Sequence, residues 1–272
     1  MAETRSDLRR AALDALCMAD PGEKLAAVRA LAHAAPEPDP RDAIAEPPGL
    51  PGRPLRPTLV APAAVAPRSV ATVEGRAALL HALAHIEFNA INLALDAIWR
   101  FNGLPRAYYL DWLRVADEEA RHFALLEQRL ATLGHAYGDF PAHDGLWEMA
   151  RRTAGDVLAR MALVPRTLEA RGLDASPQVR AKFVAVGDMA SASVVERILH
   201  DEIGHVAIGN HWFAFLCGER GLPVAATYER LCREHAAPRP RGPFNLAARR
   251  AAGFDDEELA ALARPQRRAS AS

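Results

Sequence analysis

Two short clusters of ionisable residues carry the chemistry in this sequence. One is Asp117-Glu118-Glu119-Ala120-Arg121-His122, the other His200-Asp201-Glu202-Ile203-Gly204-His205, and each contains Glu-x-x-His. Residues three apart on a helix share a face, so each pair aims a carboxylate and an imidazole at one point. A single Glu-x-x-His is common on solvated helix faces. Two copies gain weight because each has an acidic counterpart upstream: Glu87 precedes Glu119 by 32 residues and Glu169 precedes Glu202 by 33. The two halves of the pattern therefore repeat the same helix-turn-helix spacing to within one residue. Four carboxylates and two imidazoles converging in an apolar interior would leave about four negative charges there, a prohibitive cost unless cations neutralise it. Two divalent or trivalent metals would do so, and oxygen-rich ligation suits Fe or Mn better than Zn.

The neighbouring residues predict burial of these groups. Leu80, Leu83, Glu87, Ile91, Ala94 and Ile98 form one helical stripe; Trp112, Val115, Glu119, His122 and Leu126 form another; Val195, Ile198, Glu202, His205, Ile208 and Trp212 form a third. Each sets the candidate ligands on an apolar face. In the helix carrying Glu169, Leu158, Met161, Ala162 and Pro165 share its stripe, and the proline is expected to kink the helix one turn before the ligand.

The elements that must position these residues are helices. The first long one is predicted from about Val73 to Phe101, stopping at Asn102-Gly103-Leu104-Pro105; the second from about Arg106 to Leu133, ending at Gly134. A third is expected to end at Arg171-Gly172, with Ser176-Pro177 supplying the cap and first residue of the next. That next stretch reaches Gly218, with a break anticipated at Gly187-Asp188. Upstream, Ser6 to Ala35 reads as two short helices broken at Asp20-Pro21-Gly22. Ten of the 20 prolines then fall between Pro36 and Pro67, which reads as a linker or extended strap. The tail is expected to hold a helix near Tyr228 to His235, a Pro/Arg-rich loop and an amphipathic piece from Asp255 to Ala263. The fold class is all-α, divided into an N-terminal helical segment (1–35), the strap (36–71), a four-helix bundle (72–218) and a helical, Arg-rich extension (219–272).

The chain of 272 residues is half hydrophobic and a quarter charged, which excludes disorder throughout. With 33 Lys+Arg against 34 Asp+Glu, no global field demands a polyanionic partner. Lys24 and Lys182 are the only lysines, so the arginines read as composition bias more readily than as phosphate recognition. Three cysteines at unrelated spacings, the lack of a basic-then-apolar leader and the lack of a run of about 20 apolar residues make a soluble cytoplasmic protein the expectation.

Glu87, Glu119-x-x-His122, Glu169 and Glu202-x-x-His205 resemble the ligand set of the ferritin-like di-iron carboxylate superfamily, over roughly Thr72 to Gly218. The wider chain, through the strap, His85-Ile86-Glu87, Gly138-Asp139-Phe140-Pro141-Ala142-His143-Asp144-Gly145 and Gly242-Pro243-Phe244-Asn245, is similar to a bacterial group of ferritin-like proteins, the domain-of-unknown-function 455 family. The resemblance implies a ferritin-like four-helix bundle with two iron ions, Mn being admissible. It implies O2 or peroxide activation, most simply by a hydroxylase or oxidase acting on an unidentified substrate with an external electron donor. Iron oxidation or peroxide detoxification is the alternative, and a metal-free helical partner-binding protein the third reading. The extra segments favour an elaborated enzyme, while Arg239, Arg241, Arg249 and Arg250 keep RNA open as a partner. Arg121 and Asp201 are the candidate groups to bridge helices and orient the imidazoles. Weaker candidates are His81 and His85 as ligands, Glu118 and Glu196 as substitute ligands, His200 as a surface residue, and Tyr108 and Tyr109 as packing aromatics or a radical site.

The implied topology also constrains the crossover. Its second and third helices run parallel, so the link must climb about 22 Å back past Glu119 from Gly134. A third helix starting at Gly145 would begin a further ~36 Å below the site, a combined gap that the intervening loop of about 11 residues cannot close at about 3.5 Å per residue. Residues His143 to Arg151 are therefore expected in the crossover as a short helix, with helix three starting nearer Thr153.

Overall fold

The computed structural model describes residues 7–65 and 68–263; the N-terminal run Met1 to Ser6, Ala66-Pro67 and the residues after Ala263 lie outside them. Among the described residues the chain is helical, with no strand and a single parallel bridge between Leu59 and Ala142. It divides into two compact units: residues up to Val157 together with Ala181–Val194, and Leu158–Arg180 together with Val195 onward.

The first unit is built on a helical hairpin. Helix α1 (Leu8–Cys17) and helix α2 (Pro21–Ala34) open it, α2 being capped by the Asp20 carboxylate, which accepts from the Glu23 N–H at 2.9 Å. Helix α3 (Val73–Arg100) starts where the Thr72 hydroxyl accepts from the Gly75 N–H at 3.0 Å. Helix α4 (Arg106–Thr132) follows a five-residue turn and stops at Gly134, whose φ of +78° suits glycine. The two long helices lie against each other, with α1 against α3 and α2 against α4. Taken alone, α3 is long and apolar enough to cross a membrane. It is instead the core helix of this unit, and its buried face includes His81, His85, Glu87 and Asp96.

The proline-rich strap is tied down along its length. The buried Arg9 guanidinium donates to the carbonyls of Asp39 (2.9 Å), Asp42 (2.5 Å) and Trp99 (2.7 Å). Arg53 pairs with Asp144 at 2.5 Å, the Val60 N–H donates to Ala142 O at 2.8 Å, and the Ala142 N–H donates to Thr58 O at 3.0 Å. Because prolines cannot donate, side chains and neighbouring segments supply the bonds that a helix would have made internally. Gly52 is required where the strap crosses α1: a β-carbon there would lie 2.1 Å from the Cys17 carbonyl oxygen.

The crossover contains a short helix α5 (Gly145–Arg152), after which the chain turns and becomes helical again at Val157. This matches the geometric expectation that residues near 145 do not begin the third long helix. Helix α6 (Val157–Leu163) then passes into a π-helical turn, Val164–Glu169, and on into α7 (Ala170–Ala185). Pro165 thus produces a π turn ending at Glu169.

The expected stop at Gly172 and restart at Ser176-Pro177 do not occur, and α7 runs through both. Pro177 removes the N–H that would have bonded Leu173 O, and the Asn245 side chain supplies a donor to that carbonyl at 3.3 Å. Ser176 turns its hydroxyl back onto Gly172 O at 2.8 Å instead of capping. The break anticipated at Gly187-Asp188 is present: Gly187 has φ +74°, and Asp188 caps α8 (Met189–Glu219) by accepting from the Ser191 N–H at 3.0 Å.

The second unit adds α9 (Val224–Glu234), α10 (Leu246–Ala251) and α11 (Asp256–Ala263). Its core joins Ala170 and Leu173 of α7 and Val206 of α8 to Ala248, Ala252, Phe254 and Leu259 of the tail. The tail is therefore an integral part of that unit's core. Arg249 is buried and makes a two-pronged ion pair with Asp174, at 2.6 Å for the shorter contact. That arginine is a structural cross-link, which withdraws it from the basic surface considered for RNA.

Candidate metal centre

Glu87 projects from α3, and Glu119 and His122 from α4, all three buried. His122 Nδ1 lies 3.3 Å from Glu87 Oε2 and 3.2 Å from Glu119 Oε2. The three side chains thus offer ligand atoms within 4.8 Å of one another, on the apolar faces of two paired helices. The hairpin sets this geometry: the i, i+3 spacing stacks Glu119 and His122 on one face of α4, and α3 carries Glu87 to meet them.

The electrostatics of this cluster are those of a site short of positive charge. Burial pushes the Glu87 carboxyl up, and the neighbouring Glu119 carboxylate pushes it further. Burial opposes a charge on His122, but hydrogen bonds to Glu119 and Glu87 and their negative charges outweigh it and raise the imidazole to about 11. Two acids and one base therefore hold a trapped proton where a cation could sit, and the donor set of two carboxylates and an imidazole fits a metal ion.

In the second unit, Glu202 and His205 are buried one turn apart on α8, with His205 Nδ1 3.5 Å from Glu202 Oε1. Glu169 ends the π turn and is half-buried. Both Glu-x-x-His pairs thus form buried carboxylate–imidazole pairs within their own helices.

Other candidates are placed elsewhere. Arg121 is nearly half exposed and pairs with Asp117 (3.5 Å) and Glu118 (3.4 Å) on its own helix, so it orients no imidazole. Asp201 meets Arg197 (3.3 Å) and the exposed His200 (3.0 Å). Glu196 faces solvent and Arg180 at 3.4 Å. Tyr108 and Tyr109 are packed edge to face in the core, Tyr109 donating to Phe101 O at 3.0 Å.

His81 and His85 anchor the crossover. The Gly138 N–H donates to His81 Nε2 at 2.9 Å, and His85 binds the Tyr137 hydroxyl (2.9 Å) and the His143 carbonyl (3.1 Å). Burial holds both imidazoles down at about 4, hence neutral. A residue that spacing did not single out is Lys24 of α2: fully buried, it donates to Leu16 O (3.3 Å), Gly52 O (2.9 Å) and Asn92 Oδ1 (2.5 Å), with its ammonium 4.9 Å from the centre of the Phe88 ring. Its rarity, as one of two lysines among many arginines, is the sequence signal for it.

Fold and cluster together define a helical protein with a buried Glu/His group able to hold a metal. Residues 17–260 match the family model described as protein of unknown function (DUF455), and the chain belongs to that family. A Haemophilus influenzae protein described as uncharacterized is 53% identical over 213 residues, covering 76% of this chain and 74% of the relative. No solved structure matches.

Proposed function

We propose that this protein is a dinuclear metal carboxylate oxidoreductase of ferritin-like type. Glu87, Glu119, His122, Glu169, Glu202 and His205 would hold the two metals, with iron the expected ion and Mn admissible. The observation that carries the reading is the buried cluster of Glu87, Glu119 and His122, a donor set whose charges burial otherwise penalises. Metal, when bound, would supply redox chemistry toward O2 or peroxide.

The protein's own residues have defined tasks in this reading. His122 gives up the proton it shares with Glu87 and Glu119, which frees Nδ1 as a ligand atom. Glu87 and Glu119 then take full negative charge, which the charge of a bound metal would offset. The apolar stripes around them, including Ile91, Ala94, Val115 and Leu126, exclude water. An external electron donor and an organic substrate complete the proposal, with hydroxylation or oxidation as the reaction class.

Anaerobic loading with Fe(II), followed by O2 and optical spectroscopy, tests the chemistry. Retention of oxidised iron on the protein, with reduction by an added electron donor and repeated O2 consumption, supports the oxidoreductase. Release of oxidised iron into a mineral product would instead assign iron oxidation as the activity. No O2 consumption by iron-loaded protein would refute both.

A further inference from the structure

The second unit contains a cavity of about 360 Å³ that the metal chemistry does not use. One face of α9 lines it, through Ala225, Tyr228, Glu229, Cys232 and Arg233, spaced i, i+3, i+4, i+7 and i+8. This face is distinct from the one α9 buries through Thr227 and Leu231, and it borders open space of the size that holds small molecules. Phe254 and Leu262 add apolar lining, and the Thr167 and Tyr228 hydroxyls, 3.0 Å apart, lie together at it.

The charges around the cavity are unequally compensated. Arg166 is buried, donates to Asn210 Oδ1 at 2.7 Å and to Glu258, and stands over the rings of Tyr228 and Phe254 at 4.9 and 4.8 Å. Arg249 is held by Asp174. These two guanidiniums are committed to the walls. Arg233 reaches Glu229 only at 3.8 Å, between exposed groups. Arg239, exposed at the lining between Pro238 and Pro240, has no ion pair among the described residues, and the flanking prolines restrict the backbone that presents it. Burial pushes Tyr228 up to about 12 and raises the Cys232 thiol, so both stay uncharged at neutral pH and offer no anionic nucleophile. The cavity is equipped to bind and not to attack.

We propose that this cavity binds an organic monocarboxylate with an apolar body, the body lying along α9 against Tyr228, Phe254 and Leu262 and the carboxylate meeting Arg239 at the mouth. A cationic ligand would face the arginines, and a polyanion would bring more charge than one uncompensated guanidinium offsets.

Calorimetric titration of the full chain with octanoate, octanol and octyltrimethylammonium tests this. Octanoate is expected to bind saturably at one per chain, and each of the other two more weakly by about tenfold or more. Ala225→Trp, which fills the cavity from an exposed position, removes octanoate binding, and Arg239→Gln weakens it by about tenfold; both keep the wild-type circular dichroism and thermal midpoint because neither side chain is in the core. The proposal is overturned by an absence of saturable octanoate binding, by octanol or the ammonium binding as tightly as octanoate, or by octanoate binding that either variant leaves unchanged. Since the cavity residues are not the candidate metal ligands, these outcomes are independent of metal content.

Discussion

Pro165 packs directly on Gly209: a β-carbon built at Gly209 would lie 2.3 Å from the proline Cβ and 2.5 Å from its Cγ. The contact joins the π turn that carries Glu169 to helix α8, which carries Glu202 and His205, and it needs glycine on the α8 side. Neither residue advertises the other in the sequence, where they stand 44 positions apart.

Gly209→Ala is therefore expected to destabilise the protein by about 1–3 kcal/mol through overpacking. An alanine in an unobstructed helix interior would instead gain up to about 1 kcal/mol over glycine. Gly204 on the same helix has open space at its β position and supplies that control. Chemical unfolding of G209A and G204A should move stability in opposite directions; equal gains would show that the Pro165 contact is not tight.

The buried His81 gives stability a pH dependence of known sign. Its imidazole sits at about 4 in the folded protein because burial and the Gly138 N–H favour the neutral ring, against about 6.5 when unfolded. The unfolded chain therefore binds more protons between these values, and the contribution is fully present above about pH 6.5 and lost as the pH falls toward 4. The surrounding groups are Tyr137, Phe140, Asp139 and His85. Thermal midpoints measured from pH 7 to 4.5 should fall more steeply for wild type than for His81→Gln, because His85 and the carboxylates titrate in both. Parallel curves would remove His81 from the account.

Lys24 holds α1, the strap and α3 through one ammonium, by way of Leu16, Gly52 and Asn92. Lys24→Met removes this donor from Gly52 O and Asn92 Oδ1, while Leu16 O keeps the Gly52 N–H, at a cost of about 1–3 kcal/mol. Faster limited proteolysis between residues 36 and 60, at unchanged helix content, is the expected local signature. Unchanged cleavage would mean that Arg9 and Arg53 anchor the strap without it.

At the metal centre the sign of a substitution should depend on metal. Without metal, Glu119→Gln removes one of two crowded buried acids and is expected to leave stability unchanged or raise it by about 1 kcal/mol. With metal added, the wild type gains stability by ligand linkage and the variant gains little. Thermal midpoints with chelator and with Fe(II) under anaerobic conditions give the comparison, and a parallel rise in both proteins would exclude Glu119 as a ligand.

Much of this architecture was legible because it rests on local signals. Asp20 and Thr72 cap their helices and Gly134 ends one, and each is visible as a residue type at a boundary. The union of Glu87 with Glu119 and His122 was legible for the same reason, since helical period and a single hairpin suffice to bring them together. Long-range effects were not. Helix α7 survives Gly172 and Pro177 because Asn245, some 70 residues away, supplies a donor to Leu173 O, and Arg249 reads as a surface base until Asp174 is found beside it. Arg121 was misplaced for a different reason: being next to a ligand in sequence turns a helical side chain about 100° away from it.

Metal stoichiometry after anaerobic Fe(II) loading and removal of unbound ion tests the central proposal most directly. Two metals per wild-type chain are predicted, with loss of bound metal in Glu119→Ala and in Glu202→Ala. Fewer than about one metal per chain, or wild-type content in both variants, would contradict it.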